Sequence, residues 1–296
     1  MNKLLVAPVL CSGFLLLLAC GSNNSNSKTL EQNSTQQTEN NKIAQSYQIE
    51  TVTAFNEPWA ITSLPDQRLL ITERKGRLKL FDPKAKTTIN VLGVPNVSYG
   101  GQGGLGDVIL HPDFAKNHWI YLSYAERGAS GDGAVIARAT LDLADPAQPK
   151  LVDVKRIWEQ VPKVSGQGHY GHRMQFGPDA QLWVSSGERQ KFDPAQDLES
   201  NLGKVLRLND DGTPAKGNPF EKQGDVTAEI WSLGHRNPLG MAFDAQGQLW
   251  VVEMGPKGGD ELNRIVKGEN YGYPVVSNGD HYSGLPIPRS EEHTSE

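Results

Sequence analysis

Short apolar runs alternate with polar turns along most of the chain, and one such unit occurs four times. Each unit has a polar turn containing Asp, followed within a few residues by a β-rich apolar run. The four runs are residues 69–72, 119–122, 182–185 and 249–252. This unit is typical of a β-hairpin. Because the copies are about 50 to 70 residues apart, we predict an all-β fold of propeller blades; a β-sandwich would explain the strands but not the repeat.

Long helical periodicity is absent, and the best helix-compatible window, near residues 193–201, is short. A propeller carries its functional residues on loops at one face, so the segments that interrupt the strand pattern are the places to look for chemistry. Four segments stand out: residues 99–107, 166–173, 187–193, and 234–240 together with 253–263.

Residues 1–19 have the layout of a bacterial export signal, in which Lys3 precedes a mostly apolar run too short to span a membrane stably. Leu-Leu-Ala-Cys at 17–20 resembles a lipobox, which predicts that Cys20 is lipidated. The alternative is an ordinary signal peptide with an incidental cysteine. Residues 20–46 are polar and predict a disordered tether behind the lipid anchor. We therefore expect the periplasmic side of a membrane, and the outer membrane because no acidic retention signal follows Cys20.

Residues 47–288 have the composition of a globular domain with a large core. The second cysteine, Cys11, lies in the predicted signal, so thiol and disulfide chemistry are excluded from the mature protein. A net charge of −5 with dispersed Lys and Arg argues against a nucleic-acid partner. Residues 289–296 contain no apolar side chain and match the translation of a common sequencing adapter. We interpret them as read-through; the alternative is a native polar tail.

His169 lies in a glycine-rich loop directly before a predicted strand. An imidazole can accept a hydroxyl proton near neutral pH, which makes His169 a candidate general base, although a lone loop histidine is more often a surface residue. Glu188 ends the next strand. Hairpin pairing would return its carboxylate to His169, where it could orient the ring; the alternative is a solvated strand-end residue. A zinc site at His169 and His172 is disfavoured because no third ligand accompanies them.

Arg236 lies in the compact loop 234–238. Its planar guanidinium could stabilise a carbonyl oxygen that gains negative charge, or it could form a structural salt bridge. Residues 253–261 combine main-chain carbonyls with carboxylates, the oxygen ligands that calcium prefers, although the string is not an EF-hand loop. The sequence has no glycine-rich phosphate fingerprint within a βαβ unit, which argues against a nicotinamide enzyme.

Six groups of motifs, in this order, resemble the glucose/sorbosone dehydrogenase family that depends on pyrroloquinoline quinone (PQQ), specifically its soluble aldose sugar dehydrogenase branch. The similarity runs over residues 47–288. The motifs are Gly-Gln-Gly-Gly-Leu-Gly at 101–106 with His-Pro-Asp-Phe at 111–114; Gly-His at 168–169 with Arg173; Leu-Gly-Lys-Val-Leu-Arg at 202–207; Gly-His-Arg-Asn-Pro at 234–238; Gly-Pro at 255–256 with Asp-Glu at 260–261; and Asn-Tyr-Gly-Tyr-Pro at 270–274.

The resemblance implies a six-bladed β-propeller with PQQ across its central channel, and oxidation of aldose sugars at C1 to lactones. His169 takes the position of the family's general base, which removes the C1 hydroxyl proton while hydride passes to calcium-bound PQQ. Glu188 takes the position of the acidic residue that supports this histidine. That residue is Asp in glucose-oxidising members, so the reach of Glu188 differs by one methylene.

The resemblance also implies cofactor and metal ligands. Gln102 matches a glutamine near substrate and cofactor. Arg236 and Asn237 match a pair that contacts PQQ, with the arginine beside the carbonyl that becomes anionic. The main-chain carbonyls of Gly255 and Pro256 match ligands of the calcium ion that polarises PQQ. Further structural calcium is implied at Asp260, Glu261 and Tyr271.

About four to five blades fit between residues 47 and 288, and the strand near residues 47–53 would normally close the ring in the final blade. We therefore expect this 296-residue chain to fold poorly and to have little activity, and the complete gene product to be active. Two other functions stay open: a propeller lactonase or hydrolase that uses a metal directly on substrate, and a non-catalytic propeller that binds carbohydrate or protein. Broad aldose oxidation is expected, with electrons passing to a respiratory-chain acceptor.

Overall fold

The computed structural model describes residues 49–288, and the fold belongs to the unit that begins at Thr51. Its regular structure is almost entirely β, which confirms the predicted all-β class. The predicted signal at 1–19, Cys20 with the whole of its tether to residue 46, and the tail 289–296 lie outside the described residues. Within residues 49–288, no helix is long and apolar enough to cross a membrane.

Four antiparallel sheets follow one another along the chain, and in each of them strands adjacent in sequence are adjacent in the sheet. The first contains β1 (Pro58–Ser63), β2 (Leu69–Glu73), β3 (Arg77–Asp82) and β4 (Thr87–Val91). The second contains β5 (Leu105–Leu110), β6 (Trp119–Arg127), β7 (Asp132–Asp142) and β8 (Lys150–Glu159). The third contains β9 (Gly171–Phe176), β10 (Leu182–Ser186), β11 (Lys204–Leu208) and β12 (Ile230–Leu233). The fourth contains β13 (Pro238–Phe243), β14 (Leu249–Glu253) and β15 (Glu261–Arg264).

Helical structure is confined to the connections between strands. A single short α-helix, α1 (Phe114–Asn117), lies between β5 and β6 in the described part of the chain. Short 3₁₀ turns occupy Asp193–Ala195, Glu221–Gln223 and Asp225–Glu229. The helix-compatible window at 193–201 thus forms only one 3₁₀ turn.

The first strand of each sheet is the innermost one. β1 packs against β5, β5 against β9, and β9 against β13. Successive meanders whose first strands pack side by side have the arrangement of propeller blades. Four blades are described, which agrees with the predicted four to five. The six-bladed ring of a complete protein stays an expectation.

The hydrophobic core lies between the blades rather than within any one of them. One cluster separates the first and second blades, another the second and third, and a smaller one the third and fourth. Consecutive residues of β6 enter different clusters: Leu122 packs toward the first blade and Tyr121 toward the third. Side chains of a strand point alternately to its two faces, so a blade packed on both faces needs apolar residues at every position.

Candidate active site

The loops that carry the predicted site residues lie at one end of the blades. Gln102, His169 and Arg236 each occupy the loop directly before an innermost strand, namely β5, β9 and β13. Glu188 and Gly255 follow the second strands β10 and β14. In an antiparallel meander, the start of the first strand and the end of the second strand lie at the same end of the sheet. The fold therefore brings these residues together.

His169 and Glu188 form a buried pair. His169 Nδ1 is hydrogen-bonded to Glu188 Oε1, and the residues are 5% and 0% exposed. The second Glu188 oxygen accepts a hydrogen bond from the Phe192 N–H at 2.8 Å. His169 Nε2 makes no hydrogen bond to any residue in 49–288. The carboxylate therefore fixes the ring through one nitrogen and leaves the other for a ligand.

The main chain of His169 is held as firmly as its ring. Its φ of 50° lies in the left-handed region, which is uncommon for a residue with a side chain, and the surrounding hydrogen bonds hold it there. The His169 N–H donates to Gln102 Oε1 at 2.7 Å, and its carbonyl accepts from the Arg189 N–H at 3.1 Å. Gln102 thus contacts the His169 loop directly; its predicted contact with substrate and cofactor stays a prediction.

Arg236 and His169 line the same cavity, which has a volume of about 190 Å³. The Arg236 guanidinium donates to the carbonyls of Met254 at 2.8 Å and Gly255 at 2.7 Å. The Glu188 N–H donates to the Arg236 carbonyl at 2.9 Å, which ties the two loops together. The remaining walls are formed by Gln190, Phe192, Pro256, Tyr273, His281, Tyr282 and Ser283. One space therefore combines an imidazole, a guanidinium and several aromatic rings.

A planar anionic quinone such as PQQ fits the chemistry of this cavity. Arg236 supplies a cation, and its guanidinium carbon lies 5.9 Å from the centroid of the Tyr273 ring. Asn237 Oδ1 accepts a hydrogen bond from the Gly171 N–H at 3.1 Å, while its Nδ2 is buried without a partner among residues 49–288. An unpaired buried donor costs about 1–3 kcal/mol. Asn237 is fully buried and is not one of the residues that line the cavity, so the fit of an anionic quinone rests on Arg236 and the aromatic walls.

Calcium does not fit the predicted carbonyl pair in this conformation. The Gly255 carbonyl accepts a hydrogen bond from Arg236, and the Pro256 carbonyl accepts one from the Gly259 N–H at 2.9 Å. Calcium needs about six to eight oxygen ligands, and on the Gly255 carbonyl it would lie against the positively charged guanidinium. The predicted calcium role of Gly255 and Pro256 stays a prediction that requires Arg236 to move.

Asp260, Glu261 and Tyr271 do not form a cluster of ligands. Asp260 Oδ1 accepts a hydrogen bond from the Gly255 N–H at 3.0 Å. Glu261 lies across the sheet from Glu253, and burial raises the pKa of its carboxyl group. The Tyr271 hydroxyl is engaged by two main-chain groups, at 2.5 and 2.9 Å. In the described part of the chain, no group of three or more His, Cys, Asp or Glu side chains could hold a metal ion, so structural calcium here stays a prediction.

A second histidine–glutamate pair, which sequence reasoning missed, lies one blade further on. His235 Nδ1 is 2.9 Å from Glu253 Oε2, and His235 Nε2 is 2.8 Å from Ser232 Oγ. This has the connectivity of a Ser–His–Glu triad, but Ser232 and His235 are fully buried and Tyr271 stacks on the imidazole at 4.6 Å. Glu253 also accepts a hydrogen bond from the Arg236 N–H. The pair is therefore structural and supports the loop of Arg236.

His172 points away from His169 and has a different environment. Its Nδ1 is 2.8 Å from Ser123 Oγ, and its ring stacks on Trp59 at 5.0 Å. Complete burial lowers the pKa of His172 to about 3, so its ring is neutral. His172 thus packs among the innermost strands, whereas His169 faces the cavity.

A larger cavity, of about 680 Å³, lies at the opposite end of the first two blades. It is bordered by the β1–β2 turn, by α1, and by the end of β7. None of the predicted site residues contributes to it. The chemistry therefore concentrates in the smaller cavity at His169 and Arg236.

The model of the Glucose / Sorbosone dehydrogenase family matches residues 55–296. Aldose sugar dehydrogenase YliI of Escherichia coli is 41% identical over 242 residues, covering 80% of this chain and 64% of that protein. Quinoprotein glucose dehydrogenase B of Acinetobacter calcoaceticus is 33% identical over 251 residues, covering 75% of this chain and 51% of that protein. The PQQ-bound form of aldose sugar dehydrogenase from Streptomyces coelicolor matches with a TM-score of 0.70 at 36% identity, covering 81% of this chain and 69% of that one.

These proteins support the propeller architecture that the packing of the innermost strands indicates. The chain spans between 51% and 69% of the length of the three relatives. The family match includes all four described blades and the loops around the cavity. By its motifs, its blades and this match, the chain belongs to the glucose/sorbosone dehydrogenase family.

Proposed function

We propose that the protein oxidises aldose sugars at C1 to lactones and uses PQQ as its cofactor. The observation that carries this proposal is the cavity in which the free nitrogen of the Glu188-bound His169 imidazole and the Arg236 guanidinium face a common space. Relatives named aldose sugar dehydrogenase and quinoprotein glucose dehydrogenase, at 41% and 33% identity, support the same reaction class.

His169 is the proposed general base. Glu188 holds Nδ1, which directs the lone pair of Nε2 toward the cavity, where the C1 hydroxyl of the sugar would lie. Nε2 accepts the hydroxyl proton, and the adjacent carboxylate stabilises the imidazolium that results. Since Glu188 is completely buried, its charge acts on the ring with little screening by water.

Arg236 and Asn237 are the residues that would hold the cofactor. Arg236 presents a permanent positive charge at the cavity wall. The adjacent Asn237 has an unpaired amide donor, although it is fully buried and does not itself line the cavity. When bound, PQQ supplies the hydride acceptor that amino-acid side chains lack. The PQQ-bound state of the Streptomyces relative supports this choice of cofactor. Calcium, a lipid anchor at Cys20 on the periplasmic side of the outer membrane, and a respiratory-chain acceptor remain predictions of the proposal.

The test is a dye-coupled assay on the longest product of the gene, with the 296-residue chain beside it. The purified apoprotein receives PQQ, and aldose-dependent bleaching of a redox dye is measured with and without calcium. We expect turnover that requires PQQ and that falls about 10²- to 10⁴-fold in His169→Ala. His118→Ala, an exposed histidine at the opposite end of the blades, is the matched control and keeps turnover.

The alternative functions give different results in the same assay. Lactone hydrolysis that needs a divalent metal and no quinone would identify a propeller hydrolase. Sugar or protein binding without any turnover would identify a non-catalytic propeller. Near-normal oxidation by His169→Ala would exclude His169 as the base.

A further inference from the structure

Arg189 follows Glu188 directly and is the largest fully buried side chain in residues 49–288. Its Nε donates to the Gly168 carbonyl at 2.8 Å, and its Nη2 donates to the Gly166 carbonyl at 2.6 Å. Its Nη1 donates to the carbonyl of Asp132. The guanidinium carbon lies 3.7 Å from the centroid of the Tyr170 ring. Three carbonyls and one aromatic face therefore surround this charge.

Arg189 makes no ion pair with any described carboxylate. The neighbouring carboxylates are engaged elsewhere: Asp132 pairs with Arg127, and Glu188 binds His169. A buried cation without a counter-ion is costly unless several dipoles solvate it. The planar fork of arginine carries its donors on three nitrogens that lie apart, so it bonds the Asp132, Gly166 and Gly168 carbonyls from three different atoms, whereas lysine offers all its donors from a single nitrogen. The arrangement is therefore specific for arginine and for the loop that supplies the carbonyls.

The loop that Arg189 holds is the loop that presents His169. Gly166 has a φ of 95° and His169 a φ of 50°, so the segment is wound through left-handed conformations. Such a backbone persists only when its surroundings over-determine it. Arg189 contacts two of the three residues before His169 through its side chain, and the His169 carbonyl through its main-chain N–H. Glu188 fixes the imidazole ring, and Arg189 fixes the backbone beneath it.

From this geometry we propose that Arg189 is a positioning residue for His169: its buried guanidinium holds residues 166–169 so that the imidazole reaches Glu188 and the cavity together. The inference rests on the proposed function, in which His169 is the base. Arg189 touches neither the cavity nor a substrate in this role. Its loss should displace the base without changing the groups that bind the sugar, and misplacement of about 1 Å can cost on the order of 10²-fold in rate.

The test compares Arg189→Met with Arg189→Lys. The methionine variant removes the charge and all donors, whereas the lysine variant keeps the charge but loses the fork. We expect kcat to fall about 100-fold in Arg189→Met and about 10-fold in Arg189→Lys, with KM changed less than about twofold in both. Arg207→Met is the matched control, because Arg207 bonds Asp179 and the Lys216 carbonyl at the opposite end of the same blade. It should keep kcat.

A second measurement does not depend on turnover. In the apoprotein, the ring signals of His169 are followed by ¹H–¹³C NMR, assigned through their loss in His169→Gln, and amide exchange is measured over residues 166–170. Arg189→Met should shift the His169 signals and speed exchange about tenfold or more, and Arg189→Lys should show a smaller change. Signals of His235, which is buried against Glu253 in the fourth blade, should stay in place.

The outcomes separate the two proposals. If the parent protein oxidises no aldose, the proposed function fails, and the NMR signals still decide whether Arg189 positions His169. If Arg189→Met does not fold, Arg189→Lys carries the test. Unchanged His169 signals and unchanged exchange in a folded variant would overturn the inference. Equal losses of kcat in the Arg189 variants and in Arg207→Met, as expected from general destabilisation, would overturn it as well.

Discussion

The third and fourth blades each contain a buried histidine–glutamate pair, and the two pairs differ in whether the histidine faces a cavity. In each, a histidine before the innermost strand is bonded through Nδ1 to a glutamate at or just after the end of the second strand: His169 to Glu188, and His235 to Glu253. His169 faces the cavity, and we call His169 and Glu188 the open pair and His235 and Glu253 the sealed pair. His235 is closed off, with Ser232 at Nε2 and the Tyr271 ring on its face.

The difference teaches that pair geometry alone does not identify a catalytic base. Both imidazoles are oriented by a buried carboxylate, and the sealed pair even resembles a hydrolytic triad. What separates them is whether the second ring nitrogen can meet a substrate. In the proposed function the open pair transfers a proton, whereas the sealed pair holds the loop of Arg236 in place.

The largest effect should come from breaking the open pair. Glu188→Gln keeps the shape of the side chain but removes the charge that stabilises the His169 imidazolium. We expect kcat for aldose oxidation to fall about 10²- to 10⁴-fold, by analogy with loss of the acidic residue in hydrolytic triads. Steady-state kinetics on the PQQ-loaded protein measure this, and a fall of less than threefold would contradict it.

Breaking the sealed pair should affect stability instead. In Glu253→Gln, His235 and the Arg236 N–H lose a charged acceptor inside the protein. We expect the free energy of unfolding to decrease by about 3 kcal/mol, measured by urea denaturation. Turnover of the surviving folded protein should fall far less than in Glu188→Gln. The comparison between the two pairs fails if Glu253→Gln is the more severe variant in kcat.

A buried lysine at the start of β11, Lys204, holds the loop that precedes this strand and follows the open pair. Lys204 Nζ donates to the carbonyls of Pro194 at 2.6 Å, Ala195 at 3.2 Å and Leu202 at 2.7 Å, all in the loop that starts at Glu188. Burial lowers the pKa of Lys204 to about 7, while the nearby charge of Asp197 opposes the shift. The sealed pair lies at the end of a regular strand and has no such lysine in the described residues.

The sign of the pH dependence follows from proton binding. Between pH 7 and about 10.5 the unfolded lysine keeps its proton while the folded one loses it, so the free energy of unfolding rises with pH in this window. Relative to Lys204→Met, the parent protein should gain about 3 kcal/mol between pH 6 and pH 9, which is about two pH units at about 1.36 kcal/mol each. Urea midpoints at the two pH values measure the difference. A flat or falling difference would show that Lys204 does not titrate there.

The smallest effect on stability should come from changing Tyr271, the tyrosine that stacks on His235 of the sealed pair. Tyr271→Phe keeps the ring on His235 but removes a hydroxyl that bonds the Arg264 carbonyl and the Val266 N–H. We expect a loss of about 1 kcal/mol in a thermal or urea unfolding experiment. Tyr99→Phe is the control, since the Tyr99 hydroxyl bonds the exposed side chain of Glu57 and should contribute little. Equal losses of unfolding free energy in both variants would argue against a specific stabilising role of the Tyr271 hydroxyl.

Much of the fold could be predicted from the sequence because the blades are local structures. The apolar runs at 119–122 and 182–185 became β6 and β10 because a turn and an apolar run specify a hairpin without distant information. The loops of His169 and Arg236 could be located because glycine-rich strings interrupt that pattern. The meeting of His169 and Glu188 follows from the pairing of β9 with β10.

The remaining parts of the site depend on contacts between loops of different origin. The sequence does not show that Arg189 reaches back to Gly166, or that Tyr271 covers His235, because neither contact follows from strand register. The link between Arg236 and the Gly255 carbonyl was missed for the same reason. The glutamate that ends β14, Glu253, had a weak signal, since it stands where Glu188 stands in the preceding blade.

The division of β6 between two hydrophobic clusters has a consequence for how such proteins change over generations. Tyr121 and Leu122 are neighbours in the chain but contribute to different interfaces. Each of the four described blades shares its apolar side chains with a neighbouring blade, so the packing of one blade depends on the surface of the next. Compensating substitutions can therefore accumulate independently on the two sides of a single strand, because a change at Tyr121 and a change at Leu122 affect different interfaces.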